Sequence, residues 1–198
     1  QIYLNPAPEG VDAYYGWQFY GGKGENIKVV DIEGNWVEHH EDLRGGASSF
    51  HIAGWKIPDP EWYDHGTAVL GEIASDSNLF GTTGIAYNVN LGTVSIGSMS
   101  IADAITIAAA SSDTGDIILI ELQIGGPNGG NYVPVEYEQA TFDAILLATA
   151  SGRIVVEAGA NGGQNLDDTY IYGQLFNPAY RFSGAILVGA ADLYHDPE

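Results

Sequence analysis

Five short runs of hydrophobic and β-branched residues recur along the chain. They are mainly apolar, which is typical of strands buried on both faces of a sheet. Each is followed by glycine or a polar residue, as expected where a strand ends. The predicted strand segments are NIKVVDIEG (26–34), VNLGTVSIG (89–97), DIILIELQIGG (116–126), GRIVVEAGANGG (152–163) and GAILVGAAD (184–192).

Three segments with helical spacing lie between these runs: residues 65–75, 100–112 and 136–151. Buried strands that alternate with helices favour a parallel sheet covered on both faces. The pattern therefore predicts an α/β fold, a three-layer α/β/α sandwich with a mostly parallel central sheet. The length of 198 residues fits one domain spanning residues 1–198.

The charge balance excludes some classes of partner. The chain has 26 acidic and 6 basic residues, a formal net charge of −20, which repels phosphate backbones and anionic lipid surfaces. We therefore expect neither nucleic acid nor membrane as a partner. There is no cysteine, which excludes disulfides and a thiolate nucleophile. The first residues lack the basic and apolar regions of a signal peptide, which fits a cytosolic chain or a trimmed mature form.

Three polar residues fall where parallel α/β folds place their chemistry, near the carboxyl ends of strands. Asp31 lies at the end of the first run, His65 opens the first predicted helix, and Asn161 follows the fourth run. A carboxylate that orients a histidine and an amide that faces an oxyanion are parts of nucleophilic acyl transfer. Taken singly, each residue also has a structural interpretation: a cap for Asp31, an exposed ring for His65 and a turn for Asn161.

Two longer segments carry a further signal: DHGTAVLGEIAS (64–75) and NIKVVDIEGNWVEHHEDL (26–43). They resemble the subtilisin-like serine peptidases, the first through the family's His-Gly-Thr segment and the second through its aspartate segment. VVEAGANGG (155–163) resembles the segment that carries the oxyanion asparagine. The resemblance implies a subtilisin-like fold and a serine endopeptidase that hydrolyses peptide bonds in peptide or protein substrates.

The resemblance also assigns roles by position. Asp31 would hold the imidazole, His65 would act as the general base, and Asn161 would donate to the oxyanion. Gln123, Ile124 and Gly125 stand where the family usually has Ser-Leu-Gly, and they would pair with the substrate main chain. A second departure is Gly159-Ala160-Asn161 in place of Ala-Gly-Asn.

None of the segments that resemble the family carries its nucleophilic serine. The family's Gly-Thr-Ser segment is expected beyond the last predicted strand. Ser183 precedes that strand without a following helix to aim its hydroxyl, which argues against it as a substitute. We therefore expect the serine to come from a C-terminal fragment of the same domain, beyond or separate from this chain, and the chain alone to be inactive.

The position of His65 at the start of a predicted helix suggests how its ring is held. Gly66 keeps side-chain bulk away from the ring, and Ala68 and Gly71 let the helix approach the sheet. The positive end of a helix dipole disfavours imidazolium. A buried Asp31 would then be needed to stabilise the protonated ring.

The family resemblance also suggests a structural calcium ion. Gln1, Asp42 and Asn78 stand at the matching positions, and carbonyl groups of the loop around Asn78 would complete the oxygen ligands. The alternative is that Asn78 makes a turn and Asp42 caps a short helical segment.

Two other function classes stay open at this point. A non-catalytic peptide-binding or interaction module derived from a peptidase fits the altered segments around Gln123 and Ala160, but gives no reason to keep Asp31 and His65 together. A nucleotide-binding domain is disfavoured because GGKGEN (21–26) precedes a strand and cannot present a helix N-terminus to phosphate. Family habit and the lack of cysteine favour a secreted or extracytoplasmic protein.

Overall fold

The computed structural model of the chain describes residues 1–43, 50–127 and 131–191. The chain forms two compact units, Gln1–Ser98 and Met99–Glu198. Within these residues, six strands pair in parallel, three in each unit. The prediction of one domain over residues 1–198 stays a prediction.

The first unit contains three parallel strands and one long helix. Strand β3 lies between its neighbours and pairs with both of them. The elements are β1 (Lys28–Glu33), β2 (His51–Ala53), α2 (Pro60–Ala74) and β3 (Asn90–Ser95), preceded by a 3₁₀ turn (Ile2–Leu4) and the short α1 (Ala13–Gly16). All of β1 after Lys28 is buried, and this includes the two acidic residues Asp31 and Glu33.

The second unit repeats this alternation of strands and helices. Strand β7 lies between β4 and β8 and pairs in parallel with both, while β5 and β6 form an antiparallel pair. The elements are α3 (Ile101–Ala110), β4 (Ile117–Ile120), β5 (Ile124–Gly125), β6 (Tyr132–Val133), a 3₁₀ turn (Val135–Tyr137), α4 (Gln139–Ala150), β7 (Ile154–Ala158), α5 (Thr169–Tyr172) and β8 (Ile186–Val188). Each of the five predicted strand segments contains at least one strand of the first or second unit.

The helix that carries His65 begins earlier than predicted. Helix α2 starts at Pro60, and the Asp59 side chain caps it by accepting a hydrogen bond from Glu61 N at 2.9 Å. His65 therefore lies in the second turn, and the prediction that it opens the helix was wrong. The apolar period becomes visible only after the actual start, whereas Asp59-Pro60 is itself an N-cap followed by proline at the first helical position.

No helix in the described part of the chain combines the length and apolar character needed to cross a membrane.

A buried carboxyl group lies inside the second unit. Glu157 on β7 is completely buried, and its Oε1 accepts a hydrogen bond from Glu136 N at 2.8 Å. Burial is the main reason why the pKa of Glu157 rises to about 8 from the ordinary 4.5, and the nearby Glu136 carboxylate adds to the rise. The folded state thus holds a proton on Glu157 that the unfolded chain releases near pH 4.5.

This raised pKa predicts the direction of a pH dependence. The folded pKa lies above the unfolded one, so the contribution of Glu157 to stability is constant below about pH 4.5 and falls as the pH rises toward about 8. The slope is at most about 1.4 kcal/mol per pH unit. We expect Glu157→Gln, a neutral isostere, to remove this component, so that wild type loses stability relative to the variant between pH 5 and pH 8.

Urea unfolding of both proteins at several pH values measures the difference. Glu138→Gln is the matched control, because Glu138 is an exposed glutamate of the same unit. A pH-independent difference between wild type and Glu157→Gln would contradict the prediction.

Candidate active site

The central pair of the candidate site is a buried glutamate and a half-exposed histidine. His65 Nδ1 lies 2.9 Å from Glu33 Oε1. The side chain of His65 is 54% exposed and that of Glu33 is 0% exposed. A ring that donates its Nδ1 proton to a carboxylate keeps Nε2 as an acceptor, on a side chain that solvent reaches.

This pairing corrects the assignment of Asp31. The prediction made Asp31 the carboxylate that holds the imidazole, but the structure gives that hydrogen bond to Glu33, two residues further along β1. Residues two apart in a strand face the same side, so strand periodicity does not distinguish them. A usable signal was the strand end, since Glu33 is the last residue of β1 and directly precedes Gly34. Asp31 is completely buried and accepts a hydrogen bond from Trp36 Nε1 at 2.7 Å.

Local packing fixes both members of the pair. Strand β1 runs beside β3 with Glu33 opposite Ser95, whose hydroxyl donates to Gly34 O at 2.6 Å. This bond holds the chain where it leaves the strand. On helix α2, Gly66 follows His65, and a Cβ at Gly66 would lie 2.3 Å from Asn35 O and 2.7 Å from Trp36 Cδ1. Only glycine allows the helix to approach residues 35 and 36 this closely.

The predicted substrate-binding residues and Asn161 lie in the second unit. Asn161 is exposed, and its backbone N–H donates to Gln123 Oε1 at 2.8 Å. The structure therefore brings together Gln123 and Asn161, two residues that the sequence assigned to substrate binding and to the oxyanion. Ile124 and Gly125 form β5, which pairs with Val133 and Tyr132 in the antiparallel ribbon.

Ala160 adopts an unusual backbone conformation beside Asn161. Its φ angle is 72°, in the left-handed region that an L-residue with a Cβ occupies at a cost of roughly 1–2 kcal/mol. The departure to Gly159-Ala160-Asn161 thus places alanine where glycine would be unstrained. The Gln123 hydrogen bond to the next backbone N–H helps to hold this conformation.

Ser183 is not placed to act as a nucleophile. It is 3% exposed, and its hydroxyl donates to Glu136 Oε2 at 2.5 Å. A hydroxyl that is buried and already donated to a carboxylate has no access to a substrate carbonyl. The sequence argument against Ser183 agrees with this geometry.

The three predicted calcium ligands gather around one loop. Asp42, which is 4% exposed, accepts hydrogen bonds from Asn78 Nδ2 at 2.7 Å and from Thr82 N at 2.8 Å. Gln1 exchanges two hydrogen bonds with the backbone of Thr83, at 2.8 and 2.9 Å. These side chains have the oxygen atoms that calcium prefers as ligands. In this structure those oxygens accept hydrogen bonds from N–H groups of the loop.

Comparisons with known proteins show the family to which the chain belongs. The model of the Subtilase family matches residues 22–196. The chain belongs to the subtilase family.

Among curated subtilases, the chain is 30% identical over 180 residues to subtilisin DY from Bacillus licheniformis, covering 88% of this chain and 60% of that protein. It is 32% identical over 179 residues to alkaline elastase YaB from Bacillus sp. (strain YaB), covering 87% of this chain and 41% of that protein. The chain thus spans less than two thirds of the length of each of these relatives. Their names support a peptidase relationship for this subtilase.

Solved structures show the subtilase fold. A cold-adapted subtilisin-like serine proteinase superposes with a TM-score of 0.58 at 20% identity, covering 86% of this chain and 57% of that chain. The PatG macrocyclase domain superposes with a TM-score of 0.59 at 17% identity, covering 87% and 59%. The predicted fold class, α/β with a mostly parallel central sheet of the subtilisin type, is confirmed.

Two glycines of α2 provide a matched test of the packing beside His65. We expect Gly66→Ala to destabilise the protein by about 1–3 kcal/mol, because the new methyl group overlaps Asn35 and Trp36. We expect Gly71→Ala to stabilise it by up to about 1 kcal/mol, because its methyl group would meet only Ser75 Oγ at 3.4 Å and alanine favours helix.

The free energy of unfolding in urea measures both effects. Equal stabilisation by the two substitutions would contradict the close contact between α2 and residues 35–36.

Proposed function

We propose that the chain is part of a serine endopeptidase of the subtilisin type, whose acid–histidine pair is Glu33–His65. The observation that carries the proposal is the 2.9 Å contact between a fully buried carboxylate and a half-exposed imidazole, in a chain of the subtilase family. A buried carboxylate stabilises the imidazolium that forms when the ring takes a proton. Glutamate has the same carboxylate as the aspartate that the resemblance implied, on a side chain one methylene longer.

The reaction assigns one task to each group. His65 Nε2 removes the proton of a serine hydroxyl as its oxygen attacks the scissile carbonyl, and returns that proton to the leaving amine. Glu33 keeps the proton on Nδ1 and stabilises the positive ring. The family resemblance assigns the side-chain amide of Asn161 to the oxyanion of the tetrahedral intermediate. Water then repeats the attack on the acyl-enzyme and releases the second product.

The serine belongs, in this proposal, to a C-terminal polypeptide segment outside the 198 residues. The apolar strand β8 supports a covering segment. Ile186, Leu187 and Val188 are 55%, 39% and 50% exposed, although all three are residues that normally lie in a core. A partner that covers β8 would remove this apolar surface from water.

Peptide or protein substrates are the expected class. Strand β5 pairs with β6 along one edge, and an extended substrate would add to β5 through main-chain hydrogen bonds. This pairing needs no particular side chain, so the Gln123-Ile124-Gly125 sequence is compatible with it. We include export from the cytoplasm in the proposal on the basis of the family resemblance and the absence of cysteine.

Protein expressed from its gene together with the coding sequence after Glu198 tests the enzyme proposal. We expect a fluorophosphonate probe to label a serine outside the 198 residues, and a fluorogenic peptide to be hydrolysed. His65→Ala should lower kcat by about 10⁶-fold and Glu33→Ala by about 10⁴-fold, since triad members act as a unit. Asn161→Ala should lower it about 10²–10³-fold.

His39→Ala is the control, because it removes an exposed histidine in the same unit. The 198-residue chain alone should neither hydrolyse the peptide nor react with the probe. If no serine is labelled in the longer protein while a peptide still binds, the non-catalytic peptide-binding module is the better description.

We also propose that the loop around Asn78 binds calcium, with Asp42 as its charged ligand and Gln1 and Asn78 as amide ligands. The proposal is supported by the carboxylate and amide oxygens of these side chains and by the close fit of the loop around Asp42. A Cβ on Gly81 would lie 2.1 Å from Asp42 Oδ2. A bound ion would take the oxygens that now accept N–H groups of the same loop, and it would compensate a carboxylate that is almost completely buried.

Calcium should therefore raise the stability of the protein, by about 2.7 kcal/mol when its concentration is 100 times its Kd. Asp42→Asn should abolish this increase, whereas Glu41→Gln, an equal charge change at the exposed neighbour, should keep it. Thermal unfolding with calcium, with magnesium and with EDTA measures the effect. Identical curves in calcium and EDTA would contradict the proposal.

A further inference from the structure

Asp31 is a buried carboxylate close to the candidate catalytic pair. It lies on β1 two residues before Glu33, and its side chain is completely buried. Its Oδ2 accepts a hydrogen bond from Trp36 Nε1 at 2.7 Å. Burying a carboxylate is costly unless a polar group binds it, so this bond has a structural purpose that the catalytic roles assigned above do not explain.

The Trp36 indole connects Asp31 to the residue next to His65. The ring is 2% exposed and packs in a cluster with Leu43 and Leu70. A Cβ built on Gly66 would lie 2.7 Å from Trp36 Cδ1 and 2.9 Å from Nε1. The same edge of the indole therefore donates to Asp31 and touches the helix backbone directly after His65.

The flanking residues attach the same segment to helix α2. Asn35 O lies against Gly66, since a Cβ there would approach it to 2.3 Å. Val37 N donates to Thr67 Oγ1 at 2.9 Å. Residues 35–37 thus contact α2 at the two positions that follow His65, and a rotation of the Trp36 ring would change how close the helix lies to β1.

We propose that Asp31 is a positioning residue: its hydrogen bond to Trp36 Nε1 fixes the indole against Gly66 and thereby sets the contact between His65 and Glu33. Without an acceptor at residue 31, the indole N–H would be buried and unsatisfied, and the ring would turn to find a partner. The inference rests on the proposed function for its catalytic meaning, but its test reads the His65 ring directly and needs no activity.

The measurement is the rate at which the Nδ1 proton of His65 exchanges with water, in the ¹⁵N-labelled 198-residue chain. A proton shared with the buried Glu33 carboxylate exchanges slowly, and a longer contact exposes it. The His65→Gln variant assigns the resonance. The indole N–H resonance of Trp36 reports the bond to residue 31.

Two variants separate position from charge. Trp36→Phe removes the donor but keeps the charge of Asp31, and we expect exchange to accelerate by about tenfold or more, as for loss of one net hydrogen bond. Asp31→Asn removes the charge but keeps an acceptor for the indole. We expect it to retain the Trp36 resonance and to change the exchange rate by less than about twofold, a difference too small to represent a lost hydrogen bond.

The opposite pattern would overturn the inference. Fast exchange in Asp31→Asn with wild-type exchange in Trp36→Phe would mean that Asp31 acts through its charge. Unchanged exchange in both variants would mean that the bond does not reach His65. General loss of amide dispersion in Trp36→Phe would also overturn it, because the bond would then maintain the fold as a whole and not the His65 contact.

Discussion

The buried carboxylate at the end of β1 is the constraint on which the candidate site depends. Glu33 is completely buried. His65, whose ring can carry a positive charge, lies beside it with Nδ1 2.9 Å from Glu33 Oε1. A buried carboxylate without such a partner would be strongly disfavoured. The need to keep this pair in contact explains why a glycine follows His65 and why the segment after Glu33 is attached so closely to α2.

The repeated elements could be predicted from the sequence, because each has a local cause. Mainly apolar runs place β1, β3, β4, β7 and β8 within the predicted segments, and helical spacing places α3 and α4. The start of α2 was missed because its first turn, Pro60 to Tyr63, has a capping signal but little apolar periodicity. Strand β2, of only three residues, gives a period too short to recognise.

The identity of the carboxylate was not predictable from the strand pattern alone. Asp31 and Glu33 share a face of β1, and both are acidic, so the choice between them depends on which one lies opposite His65 in three dimensions. Residues 35–37 contact α2 at the positions that follow His65, and these contacts have no signature in the sequence. By contrast, Gln123 and Ala160 could be recognised from the sequence as departures from the family pattern. Only the structure shows that they are linked, because Asn161 N, directly after Ala160, donates to the Gln123 side chain.

Strand β8 has a consequence for how the chain behaves in solution. It pairs with β7 along one side, and no strand of the described residues pairs with its other side. A row of apolar side chains beside open main-chain groups is a template for any extended polypeptide. Concentrated preparations should therefore self-associate by adding strand to strand, and dilution or a soluble β-forming peptide should keep the molecules apart.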